Sequence, residues 1–79
     1  MKKNYNAKTN AENLGKIFGE NLKKVLKAKG ITYEYFAFLV NVEPRAVAYW
    51  IQGKKFPSLM HSVLICEELK ISLDSLVKE

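Results

Sequence analysis

The chain has little with which to do covalent or metal chemistry. A single cysteine, Cys66, forbids an intramolecular disulfide and points to a reducing, cytoplasmic setting. It lies in an apolar stretch, where a cysteine acts as a small buried hydrophobe rather than a reactive thiol. The one histidine, His61, has no Cys or second His at ligand spacing, which excludes a structural zinc site. Ser58 stands three residues before it, yet no nucleophile–base–acid set follows, and capping a helix explains that serine better. Walker-type glycine loops and paired-carboxylate clefts are missing as well. No enzymatic activity, cofactor or metal is expected. No apolar run approaches the roughly 18 residues needed to span a bilayer. Met1 to Lys16 carries lysines but no apolar segment, so it does not read as a secretory signal.

What the chain does have is apolar content and positive charge. Its 79 residues suit one small domain, and 48% hydrophobic residues supply a core. The net charge of +5, with a pI near 9.4, favours polyanionic partners. The charge is unevenly spread. Met1 to Lys29 holds eight lysines against Glu12 and Glu20, whereas Tyr33 to Gln52 holds Arg45 against Glu34 and Glu43. Attachment of the lysine-rich segment to a membrane surface is not expected, because its apolar stripe is needed for the core.

Residues 1–11 are polar and aperiodic and read as a flexible basic arm, with residues 12–79 as the domain. Lys2, Lys3 and Lys8 could lie along phosphates, or the arm could be a tail without a role. Leu14, Ile17, Phe18, Leu22, Val25 and Leu26 follow the i, i+3, i+4 pattern of an amphipathic helix from about Glu12 to Lys29. Lys16, Lys23, Lys24 and Lys27 lie off that stripe as a solvated face, with Glu20 in reach of Lys16 and Lys24. Gly30 ends the helix. Thr32 caps a second helix, Tyr33 to Val40, and Asn41 tolerates the positive φ of a tight turn. Glu43 is a candidate cap, and Pro44 fits the first position of a third helix reaching Gln52, with Gly53 as its stop. Lys54-Lys55-Phe56-Pro57 is an extended link. Ser58 caps a fourth helix, Leu59 to Leu69, with Val63, Cys66 and Leu69 expected inward. Ser72 caps a short fifth helix carrying Leu73, Leu76 and Val77. With no strand signal, the reading is an all-α globule of five helices.

The segment TYEYFAFLVNVEPRAVAYWIQGKKFPS, Thr32 to Ser58, holds two short helices around a turn at Asn41. Phe36, Ala37, Val40, Val42, Val47 and Trp50 form its inward set. Trp50 belongs to that core rather than to any contact surface. This is helix-turn-helix spacing. Ala37, Asn41-Val42, Val47, Trp50, Gly53-Lys54-Lys55 and Pro57-Ser58, followed by LKISLDSL from Leu69 to Leu76, resemble the XRE-type helix-turn-helix family. That family includes the phage lambda repressor and Cro-like regulators. The likeness runs from about Phe18 to Val77.

The resemblance implies a compact five-helix, lambda-repressor-like domain that binds double-stranded operator DNA, usually as a two-fold dimer. Helix three would enter the major groove, with Pro44, Arg45, Ala48 and Tyr49 toward base edges. Tyr33, Gln52, Lys54 and Lys55 would stand at phosphates. The chain departs from the family at several positions: Tyr33 replaces a common Gln, Pro44 a polar base reader, Ile51 a common Glu, and Phe38 and Leu39 exposed polar residues.

Arg45 is the only guanidinium, and its planar fork suits guanine O6 and N7; a salt bridge to Glu34 or Glu43, or a plain phosphate contact, is the alternative. Tyr49 could touch a thymine methyl or a phosphate, or be a half-buried surface tyrosine. Backbone amides around Gly53 would join Lys54 and Lys55 in clamping phosphates. The expected function is a small repressor, dimeric through Leu73, Leu76 and Val77, with an antagonist protein as a possible partner. The alternative is a protein-interaction module of the same fold, antitoxin- or antirepressor-like, for which Phe38 and Leu39 speak.

Overall fold

The computed structural model describes residues 11–78. They form five helices: α1 Ala11–Lys29, α2 Tyr33–Val40, α3 Pro44–Gln52, α4 Leu59–Leu69 and α5 Leu73–Val77. The arm read at residues 1–11 lies outside the described residues except for Ala11, which opens α1.

Local chemistry sets the boundaries. Thr32 Oγ1 accepts from the Tyr35 amide (3.1 Å), Ser58 Oγ from His61 (3.1 Å) and Ser72 Oγ from Ser75 (3.3 Å), so three helices begin with a side-chain cap. Asn41 takes φ 61° and ψ 50°, and the Val42 amide donates to Ala37 O at 2.9 Å, closing α2. Gly53, at φ 76°, closes α3 in the same way. One local detail differs from the sequence reading, and a second had no signal in it. Glu43 makes no side-chain cap bond; its carbonyl accepts from Ala46 instead, at 2.9 Å. Lys70 ends α4 in the left-handed region at φ 57°, a conformation more usual for Gly or Asn.

The core draws on every helix: Phe18, Leu22 and Leu26 of α1, Phe36, Ala37 and Val40 of α2, Val47 and Trp50 of α3, Ile65 and Leu69 of α4, and Leu76 of α5. Burying side chains of leucine size contributes about 1.5–3 kcal/mol each. In α4 the inward pair is Ile65 and Leu69. Val63, expected inward, is 49% exposed, and Cys66 is half-buried. The apolar residues of α4 run nearly all round the helix, and packing against α2 selects the Ile65 side.

Two features bind α1 to distant parts of the chain. Gly15 and Gly19 let its backbone touch the end of α3. A Cβ on Gly19 would collide with Ile51 O and stand 2.7 Å from Trp50 O, and one on Gly15 would stand 3.1 Å from Gly53 O. Further along, Asn21 Nδ2 donates to Leu76 O (3.0 Å) and Lys78 O (2.7 Å), satisfying the end of α5.

Candidate nucleic-acid interface

At 3.6 residues per turn, Pro44, Arg45, Ala48, Tyr49 and Gln52 fall within an arc of about 140° on α3, opposite the buried Val47 and Trp50. Pro44, Arg45 and Gln52 are exposed; Ala48 and Tyr49 are half-buried. The inward anchors therefore present the other side of α3 to solvent as a ridge. Ala48 keeps its middle low. Trp50, only 4% exposed, serves the core as expected and packs its ring 6.0 Å from that of His61.

Arg45 is held by neither Glu34 nor Glu43. Among the described residues the ion pair formed is Lys78 with Asp74 (2.7 Å). The guanidinium thus projects with all its donors available. Lys55 Nζ lies 5.0 Å from the centre of the Tyr49 ring, within cation–π range, which steadies both groups at one end of the ridge. A hollow of about 260 Å³ opens there between α3 and the loop after it, lined by Glu43, Arg45, Tyr49, Trp50, Lys55 and Phe56. Phe56 closes its floor through an edge-on contact with Phe18, centroids 6.1 Å apart.

The structure corrects one element of the phosphate clamp. The amides of Gly53, Lys54 and Lys55 are engaged by α3 itself: Gly53 donates to Trp50 O (3.2 Å), and Lys54 and Lys55 donate to Tyr49 O (2.9 and 3.4 Å). Backbone donors are not spare at this turn, which leaves the exposed Lys54 and Lys55 side chains as the candidate groups for a phosphate. Tyr33 is half-buried at the start of α2, at the other end of the two-helix unit. The glycines that seat α3 went unremarked in the sequence. Their signal is Gly-x-x-x-Gly inside a helix, where each glycine costs about 1 kcal/mol relative to alanine and so calls for a packing reason.

The expected pairing residues separate. Leu76 is wholly buried, because α5 packs it against α1, and it offers no surface to a second chain. Val77 is half-buried against the same core, whereas Leu73 is 46% exposed. Leu73 instead shares an apolar groove with Leu59, Val63, Cys66 and Ile71. Burial raises the Cys66 thiol pKa above its ordinary 9.0. No helix among the described residues is long and apolar enough to cross a membrane.

A helix-turn-helix family model matches residues 22–76. The restriction-modification controller protein C.AhdI from Aeromonas hydrophila is similar in structure, with a TM-score of 0.73 and 27% identity over 78% of this chain and 94% of that one. The clp gene regulator ClgR from Corynebacterium glutamicum has a TM-score of 0.74 and 24% identity over 80% of this chain and 67% of its own. An SOS-response transcriptional repressor, LexA from Eubacterium rectale, has a TM-score of 0.79 and 21% identity over 84% and 70%. These last two share the fold. No curated protein matches the sequence.

Proposed function

The chain belongs to the XRE-type helix-turn-helix family of DNA-binding regulators, and from that membership we propose that it is a small repressor. It occupies operator DNA as a homodimer and blocks polymerase by covering a promoter. The observation that carries this reading is the solvent-facing ridge of α3, with Arg45 unpaired on it. Set in the major groove, Arg45 reads a guanine through O6 and N7 while Tyr49 meets a thymine methyl or a phosphate. Tyr33 stands by one backbone, and Gln52, Lys54 and Lys55 by the other, fixing register without reading sequence.

One such unit covers too little DNA for tight, selective binding, so a second copy is required, with half-sites about 34 Å apart. The groove beside Leu59, Val63 and Leu73 is the surface for that copy. It is mostly apolar and shares no residue with the α3 ridge, and a two-fold dimer would set this patch against itself.

Selection on random duplexes tests the reading directly: a repressor enriches a motif with two related halves. Arg45→Ala should then lower the preference for that motif over random DNA by about 1–3 kcal/mol. About three phosphate contacts per subunit give a dimer a slope of log K against log salt of about −5. No enrichment, with a slope near zero, would overturn it.

One observation favours a second reading, a protein-interaction module that captures an antagonist or cognate protein. Phe38 is 76% exposed and Tyr35 55%, and their rings stack 6.4 Å apart on the outward side of α2. A module of this kind would yield no motif in the selection, and Arg45→Ala would leave its protein affinity unchanged.

A further inference from the structure

The lysines of α1 do not ring the helix evenly. Lys16, Lys23 and Lys27 fall within about 40° of one another around its axis, whereas Lys24 stands about 60° beyond Lys27, the nearest of them, and about 100° from Lys23. All four are exposed. Glu20 stands beside the row, yet among the described residues it pairs with none of its lysines. The row has a definite relation to the α2–α3 unit. Lys23 and Lys27 line a hollow of about 250 Å³ together with Thr32 and Tyr33, at the start of α2. The Lys16 amide packs against the turn after α3, 3.2 Å from where a Cβ on Gly53 would stand, next to Lys54 and Lys55. One end of the row thus meets the phosphate-facing start of α2, and the other meets the phosphate-facing end of α3. From Lys16 to Lys27 the helix rises about 16 Å. The major groove is about 12 Å wide, so a row of that length is long enough to span it from rim to rim.

We infer that Lys16, Lys23 and Lys27 form a second phosphate-binding track on α1, which engages the duplex backbone on both rims of the groove that α3 enters. The inference rests on the DNA-binding reading above and extends it to a helix outside the α2–α3 unit. The track carries no base information. It supplies affinity and orientation, where the α2–α3 unit itself has little net charge. With three added contacts per subunit, the salt slope of a bound dimer steepens from about −5 to about −11.

The test is fluorescence anisotropy of the full chain on a random-sequence duplex across a salt series. The variants are Lys23→Gln with Lys27→Gln, Lys16→Gln alone, and Lys24→Gln, which removes the same charge from the same helix off the row. Circular dichroism melts confirm that each variant folds. The Lys23/Lys27 variant should lose about 3.6 from the magnitude of the slope, Lys16→Gln about 1.8, and Lys24→Gln almost nothing. Equal small changes in all variants would make the lysines bulk charge and overturn the track while leaving the DNA-binding reading intact. Absence of salt-dependent binding by the unaltered chain would overturn both.

Discussion

Gly19 leaves no room for a side chain. Its α-carbon faces the Trp50 and Ile51 carbonyls, which belong to backbone and cannot swing aside. Gly19→Ala should therefore destabilise the domain by about 1–3 kcal/mol in urea denaturation, although alanine is the better helix former. Gly15→Ala meets Gly53 O at 3.1 Å and should be milder. Cys66 shows the same dependence on surroundings in its chemistry. Burial favours its neutral thiol, so iodoacetamide at pH 8 should alkylate the folded chain more slowly than the urea-unfolded one. The sign follows from the raised pKa: in the folded state less thiolate is present at any pH below that value. Equal rates in the two states would contradict the half-buried placement.

At the scale of the element, the ends of helices were more legible than their faces. Thr32, Ser58 and Ser72 begin helices, and Gly30, Asn41 and Gly53 end them, because each acts on backbone groups within four residues of itself. The α3 ridge was legible for a related reason. A nine-residue helix with Val47 and Trp50 inward leaves only one side for Pro44, Arg45, Ala48, Tyr49 and Gln52. Face assignment failed where a helix offered more than one apolar stripe. Along α4, Leu59-Val63-Cys66 and Ile65-Leu69 compete, and only the packing of α2 and α5 decides between them. The five residues of α5 were too few to show a period, so Leu76 was placed outside when α1 takes it in. Lys70 was illegible because neither its type nor its neighbours signal φ 57°. Lys70→Gly should relieve that conformation and raise stability by about 0.5–1 kcal/mol, read from the urea midpoint at unchanged slope.

For the whole molecule, the distinction between Leu76 and Val63 becomes a test of the proposed pairing of copies. Leu76→Ala opens a cavity in the core and should cost about 2–5 kcal/mol, a large part of the stability of so small a domain. Val63→Glu changes an exposed site, so its melting should stay near that of the parent chain. Sedimentation should nonetheless show its dimer weakened about tenfold or more, since a carboxylate would be desolvated at the two-fold contact. Unchanged association would place the second copy elsewhere. The two bonds from Asn21 join positions 55 and 57 residues apart. A chain emerging from a ribosome cannot make them until residue 78 is clear of the exit tunnel, and until then the seat for Leu76 on α1 stands open to solvent. The packing of α1 on α3, and of α2 on α3 and α4, needs no residue of α5, so the seat on α1 is the part of the core that the chain fills last as it is made.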